Sequence, residues 1–232
     1  MDKYFIIYAD KKNLDFNISV VKRPVKPSAE MEYEEVPILG GTTLYREKYY
    51  KDIEIPISFN FVSNSIDEWE QDFRNTKRWL NSKAEVLKFS DDLEVFYKVK
   101  KIRIDTPERV LKKLGKFTVI FTCSPYVYFQ DGAVERELEN YLYNYEMVSQ
   151  PIYRILGEGL LVFNVNGQEV QINVGQEVIV NTELGLCFRN GMTDNVALKG
   201  NYKYLYLKEE ANTFSWNGNF KIYVTPGWRC LS

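Results

Sequence analysis

The chain has 232 residues, with 30 Lys and Arg against 32 Asp and Glu, three cysteines and no histidine. A net charge of −2 gives no strongly basic face for nucleic acid. The missing histidine removes the Ser-His and Cys-His nucleophile pairs and the commonest metal ligand. No run of eighteen apolar residues is present to cross a membrane as a helix, and Met1–Tyr8 has too short an apolar stretch for a secretory signal. Synthesis and folding in a cytoplasm are therefore expected. Aromatic residues at 15% (17 Tyr and 14 Phe) point to strands and buried interfaces.

In chain order, the first clear element is a strand. Ile53, Ile55, Ile57, Phe59 and Phe61 alternate with polar or outward residues, a period of two that buries one face. Pro56 falls on the outward set and cannot donate to a ladder, which predicts a sheet edge or a bulge there. A helix is predicted over 65–81, with Ser65 as its cap and Glu68 completing a capping box. Ile66, Trp69, Phe73 and Leu80 form its apolar stripe. Asp67 and Glu68 suit the N-terminal end of its dipole, and Lys77 and Arg78 the C-terminal end. Strands follow at Val86–Phe89 and Leu93–Ile104, joined by a turn at Ser90-Asp91-Asp92, and at Phe117–Thr122, where Ser124-Pro125 is expected to interrupt the pattern.

These elements define a first domain over residues 1–130. Residues 131–149 mix charges and tyrosines without a clean period and read as a linker. Residues 150–232 read as all β. Leu161, Phe163 and Val165, then Val170, Ile172 and Val174, flank Asn166-Gly167, a pair suited to a type I′ hairpin turn. A second hairpin is predicted at Asn217-Gly218, between Phe214 and Trp216 on one side and Phe220, Ile222 and Val224 on the other. Short strands punctuated by glycine indicate a sandwich. The predicted class is mainly β, with a helix-covered sandwich preceding a second sandwich.

Candidate chemistry is sparse. The adjacent acids Glu34-Glu35, Asp91-Asp92 and Glu209-Glu210 read as solvated charge, because neighbours on a strand point to opposite faces. A glycosidase needs only two carboxylates at a suitable separation, and sequence does not give that separation. Gly157-Glu158-Gly159 lacks a third glycine at dinucleotide-binding spacing, and Gly40-Gly41 lacks the Lys-Ser/Thr of a phosphate loop. Cys123, Cys187 and Cys230 have neither disulfide nor zinc spacing and read as small apolar residues. Lys22, Arg23 and Lys26, and Lys98, Lys100, Lys101 and Arg103, read as solvated strand faces that block unwanted pairing. No catalytic residue, metal or cofactor is expected.

Three stretches carry a resemblance. Val36-Pro37-Ile38-Leu39-Gly40-Gly41-Thr42-Thr43-Leu44-Tyr45 leads into the alternating strand. Trp79-Leu80 precedes Val86-Leu87-Lys88-Phe89-Ser90-Asp91-Asp92, and the half closes on Phe121-Thr122-Cys123-Ser124-Pro125-Tyr126. Pro151-Ile152-Tyr153-Arg154-Ile155-Leu156-Gly157-Glu158-Gly159 opens the second half, which ends with Asn212-x-x-x-Trp216-x-Gly218 and Pro226-x-Trp228-Arg229. In this order they resemble the distal tail protein family of long-tailed, non-contractile phages and prophages. Ile38 and Leu39 stand where that family usually has Gly and Arg, and Asn144-Tyr145-Glu146 departs from its usual junction.

The resemblance implies a ring-forming N-terminal sandwich and a galectin-like C-terminal sandwich. It further implies a non-enzymatic baseplate component of the virion tail tip that joins the tail tube to the host-adsorption apparatus. The implied assembly is a hexameric ring, with tail tube, tape-measure and tail-associated fibre or lysin proteins as neighbours and no nucleic-acid contact required. The expected subunit contact lies in Val36–Tyr50, at Pro37, Gly40, Gly41, Leu44, Tyr45, Arg46, Tyr49 and Tyr50, where glycines let a loop project and Tyr and Arg suit interface hot spots. The rival reading is a carbohydrate-binding module using Trp216. The missing histidine counts against a galectin-type sugar site, and Trp216 is in phase with Phe214.

Overall fold

The structure, a computed structural model, describes residues 3–63 and 65–232; Met1 and Asp2 of the N-terminal stretch lie outside the described residues. The chain is mainly β, with one α-helix among the described residues. It divides into two compact units: the first runs through Val127 and adds Leu231–Ser232, and the second is Tyr128–Cys230.

In the first unit the strands are β1 (Ile6–Tyr8), β2 (Lys11–Lys12), β3 (Ile18–Val20), β4 (Met31–Ile38), β5 (Thr42–Tyr50) and β6 (Ile53–Val62). Helix α1 (Trp69–Leu80) follows, then β7 (Val86–Phe89), β8 (Asp92–Ile104), β9 (Glu108–Arg109) and β10 (Leu114–Phe129). The main sheet has the order β2-β1-β7-β8-β10-β6-β3, with β9 also on β10. Along β6 the period of two buries Ile53, Ile55, Ile57, Phe59 and Phe61. Their antiparallel partners Cys123, Phe121, Val119, Phe117 and Gly115 sit on β10, so each apolar residue lies across from a buried one.

Helix α1 covers this face. Trp69, Phe73, Thr76, Trp79 and Leu80 are its buried residues. The Phe73 ring meets Phe61 at 5.8 Å and Phe117 at 5.3 Å, and Trp69 meets Phe61 at 5.6 Å. The indole of Trp79 donates to the Tyr8 carbonyl at 2.7 Å, which ties the helix end to β1.

One expectation is corrected and two are met in a narrower form. The helix starts at Trp69, one turn later than 65. Ser65 Oγ does accept from the Glu68 N–H at 3.1 Å, but it closes a turn ahead of the helix, and Ile66 stays exposed. Ser124-Pro125 interrupts the alternation and leaves the strand intact: Cys123, Ser124 and Pro125 are all buried while β10 continues to Phe129. Pro56 has β10 on one side only, because β3 reaches β6 no further than Phe59, so it sits at a local edge. The register there runs without a shift, so there is no bulge.

The second unit holds β11 (Arg136–Glu137), β12 (Tyr141–Asn144), β13 (Ile152–Val165), β14 (Gln168–Asn181), β15 (Leu186–Arg189), β16 (Met192–Thr193), β17 (Leu198–Lys199), β18 (Glu210–Trp216) and β19 (Lys221–Thr225); β20 (Arg229–Leu231), which pairs with β10, runs on into the first unit's two terminal residues. The 131–149 segment is part of the fold: β11 pairs with β19, and β12 with β18. The sheet is built on the β13–β14 hairpin, whose register is continuous from Ile152↔Asn181 to Val165↔Gln168. At its turn Asn166 and Gly167 both have positive φ, 53° and 80°, as the sequence predicts for a type I′ turn. Tyr153, Ile155, Leu161, Phe163, Val165, Val170, Ile172, Val178 and Val180 form the buried face. The Tyr153 hydroxyl, fully enclosed, donates to the Leu205 carbonyl at 2.9 Å.

Asn217-Gly218 does not turn a hairpin. The strands on either side of it do not pair with each other; both lie along the same edge of β13. β18 pairs with Phe163–Val165 and β19 with Ile152–Leu156. Between them the Asn217 side chain takes over the ladder, accepting from the Val162 N–H at 2.7 Å and donating to the Leu160 carbonyl at 3.2 Å. Gly157, at φ 147°, lets β13 bend beneath the Phe220 ring, where an added Cβ would lie 2.4 Å from a ring carbon.

Two stability outcomes follow from this bend. Gly157→Ala is expected to cost about 3 kcal/mol, from overpacking and backbone strain together, seen as a lower urea midpoint for the second unit. Asn217→Ala is expected to cost about 1 kcal/mol for its two partly solvated hydrogen bonds. Asn217→Asp, which keeps the acceptor, is expected to fall between. An unchanged midpoint for Asn217→Ala would refute the bridging role.

Candidate functional site

β4 and β5 form a two-stranded sheet of their own, separate from the sheets of both units. The pairing runs from Met31↔Tyr50 to Ile38↔Thr42, with a bulge beside Glu32 and Tyr33 that leaves Lys48 as the extra residue. At about 3.4 Å per residue, eight residues reach roughly 27 Å. The result is an arm with both faces and both edges in solvent. Along β5 every residue from Thr42 to Tyr49 is exposed.

Register sorts the expected contact residues. Leu44, Arg46 and Tyr49 share one face with Val36 and Ile38, whereas Pro37 and Tyr45 share the other with Tyr33. The rings of Tyr33 and Tyr45 meet edge to face at 6.3 Å. Gly40 and Gly41 form the tip at φ 120° and 93°, and nothing lies within 4 Å of where their Cβ atoms would be, so it is backbone conformation that favours glycine there. Leu39 beside them is fully exposed. Tyr50 is different: it is half-buried at the root, its ring 6.2 Å from Tyr126. The root is also closed by a Lys51–Glu32 ion pair at 2.6 Å, which holds the Glu32 carboxyl below the usual carboxylate range, and by the Lys51 N–H on the Glu30 carbonyl.

The other singled-out residues do not converge. Glu34 and Glu35 are on opposite faces of the arm. Asp91, in the turn after β7, accepts from Tyr4 and pairs with Lys26, both at 3.3 Å. Glu209 and Glu210 are exposed. Lys100 pairs with Asp52 at 2.6 Å and Arg103 with Asp105 at 3.7 Å. Among the described residues no group of three or more Cys, Asp or Glu is placed to hold a metal ion. Trp216 is half-buried, its ring edge-on to Phe163 at 6.2 Å in the second unit's core.

One feature escaped the sequence reading. Tyr141, Tyr143 and Tyr145 are all exposed on and just after β12, with the last two rings 4.4 Å apart. The signal was available: three tyrosines at a spacing of two, inside the segment read as patternless.

What the structure presents is therefore a mainly β chain of two units with an outlying tyrosine-bearing arm. Sequence comparison matches no family model and no curated protein. Solved structures do share the fold. The Dit (gp 19.1) protein of SPP1, described as a paradigm of the hub adsorption apparatus in phages infecting Gram-positive hosts, superposes with a TM-score of 0.69 at 14% identity. The match covers 96% of this chain and 98% of that one. Chains of the phage P2 baseplate in its activated conformation, with Ca and with Sr, give TM-scores of 0.55 and 0.54 at 10% identity. They cover 97% and 96% of this chain and 98% and 97% of theirs. The likeness is one of fold and runs almost end to end.

Cys123 and Cys187 are buried, and Cys230 is half-buried. Burial, with a smaller effect from the Asp52 charge, pushes the Cys123 thiol from 9.0 up to about 12. The folded value lies above the unfolded one, so this contribution to stability is complete below about pH 9 and is lost as pH rises toward 12. The urea midpoint of the wild type is expected to fall more steeply between pH 9 and 11 than that of Cys123→Ala. Equal slopes would contradict a buried, protonated thiol.

Proposed function

We propose that this chain is a structural, non-enzymatic component of a phage tail tip, assembling head to tail into a hexameric ring that joins the tail tube to the adsorption apparatus. The observation that carries the reading is the arm, a two-stranded sheet with solvent on both faces. An isolated hairpin is marginally stable in water, and long bare edges invite pairing. Such an element is a poor investment in a lone molecule and a useful one in an assembly. The fold shared with the SPP1 hub protein and the phage P2 baseplate chains supports the same setting.

In this reading Pro37, Leu44, Tyr45, Arg46 and Tyr49 contact the neighbouring subunit, Gly40 and Gly41 shape the tip, and Tyr50 anchors the arm on Tyr126. A heterologous interface of this kind closes into a ring when the rotation per subunit divides a full turn. The second unit takes the place of a galectin-like domain. Tail tube, tape-measure and tail-associated fibre or lysin proteins are its partners in the virion.

Light scattering on a sizing column over a concentration series tests this. A mass near six times 27.3 kDa is expected. Tyr45→Ala with Tyr49→Ala is expected to weaken assembly by about tenfold or more, since buried interface tyrosines each contribute on the order of 1–2 kcal/mol. The unfolding midpoint of the isolated chain is expected to stay put, because both side chains are exposed. Assembly that is indifferent to the pair would sink the reading.

A further inference from the structure

We propose that the arms of successive copies pair edge to edge, β5 of one chain beside β4 of the next, and that opposite charge on the two strands dictates this order. The proposal rests on the ring reading above and adds the partner surface and its polarity. The observation is a partition of charge. From Glu30 to Ile38 the chain has four glutamates, Glu30, Glu32, Glu34 and Glu35, and no lysine or arginine. From Thr42 to Lys51 it has Arg46, Lys48 and Lys51 against Glu47 alone. One strand is acidic and the other basic, and the outer edge of each has no strand beside it among the described residues.

Three edge pairings are available to two identical arms. Pairing β4 with β4 sets glutamates against glutamates about 5 Å apart, and like charges directly across a strand pair are destabilising. Pairing β5 with β5 does the same with Arg46 and Lys48. Only β5 with β4 sets opposite charges side by side. The two symmetric pairings would make closed dimers; the permitted one is head to tail and leaves a β4 edge free at one end and a β5 edge free at the other, so it continues until it closes.

The strand directions agree. β4 and β5 are antiparallel within one arm. Copies related by rotation about a ring axis point their arms the same way, so β5 also runs antiparallel to the neighbour's β4. The arms then merge into one continuous antiparallel sheet, whose backbone hydrogen bonds satisfy both edges of every arm. Charged residues on an edge strand normally prevent pairing. Here they prevent every pairing but one, which is how specificity is built by exclusion.

The test uses full-length chains. Arg46→Glu with Lys48→Glu makes both strands acidic, and Glu34→Lys with Glu35→Lys leaves β4 beyond Glu32 with basic charge only, opposite the Arg46 and Lys48 of a neighbour. Each variant alone is expected to require at least a tenfold higher concentration than wild type to assemble. Their equimolar mixture is expected to assemble at near wild-type concentration, into particles that native mass spectrometry finds to contain equal numbers of the two. A chain with all four substitutions has the charges at these four positions exchanged and is expected to assemble by itself, which guards against arms that have simply lost their structure. Either single-strand variant assembling as well as wild type, or a mixture no better than its components, overturns the pairing while a wild-type ring leaves the ring reading intact. A wild-type chain that stays monomeric throughout the concentration series removes both.

Discussion

A strand must hand its backbone N–H and C=O groups to a partner or to water, and in this protein the arm hands two whole edges to water. Everything around the arm holds it in that exposed state. Its last residue, Tyr50, packs on Tyr126, and three residues later the chain enters β6, whose apolar set is among the most deeply buried in the first unit. On the other side of the root the Ala29 N–H is bound by the carbonyl of Ser232, whose own N–H donates to the Pro125 carbonyl. The C-terminal residue thus fastens the segment leading into the arm to the strand beneath it. An element with little stability of its own is carried on a root that has a great deal.

The second unit solves a different problem, that of bending a long hairpin without breaking its register. β13 and β14 stay paired over fourteen positions while Gly157, Gly159 and Gln176 take positive φ near the middle. On the outer edge of β13, one interrupted strand supplied by β18 and β19 follows the bend, with the Asn217 amide spanning the gap. The short motifs near the end of the chain serve the same architecture. The side chain of buried Asn212 joins Asn166, the Lys208 N–H and the carbonyls of Lys208 and Glu210. Trp228 packs so closely on Gly132 that a Cβ there would lie 2.4 Å from its backbone nitrogen. Arg229 binds the Val148 carbonyl and the Gln150 side chain. Motifs that resemble a family in sequence turn out to be fasteners of a fold.

Elements that bury one face were legible, because burial on one side imposes a period. β6, the body of α1 and the Asn166-Gly167 hairpin follow directly from spacing. Errors arose where a local signal has two structural uses. Asn217-Gly218 has hairpin composition, yet the residues that decide its role are Leu160 and Val162, more than fifty positions away. Ser124-Pro125 reads as a strand breaker, yet β10 ends its pairing with β6 at Cys123, and the proline lies beyond the stretch where that ladder needs a donor. Ser65 forms the hydrogen bond expected of a cap, one turn before the helix begins. In the 131–149 segment the spacing of Tyr141, Tyr143 and Tyr145 was hidden by the charges between them.

The arm is the instructive case, since periodicity is silent on an element exposed on both faces. With no buried side there is no alternation to read, and Tyr33, Leu44, Tyr45 and Tyr49 appear simply as aromatic and aliphatic residues among charges. What survives in such a segment is information about its contacts with something else, and charge carries it. A core tolerates many sequences so long as volume and pattern are kept, which fits a fold shared nearly end to end at 14% identity. An edge that must accept one neighbour and refuse its own mirror pairing has fewer solutions. In the proposed pairing, the segregation of glutamates onto β4 and of Arg46 and Lys48 onto β5 is one of them, and it depends on no property of either unit's core.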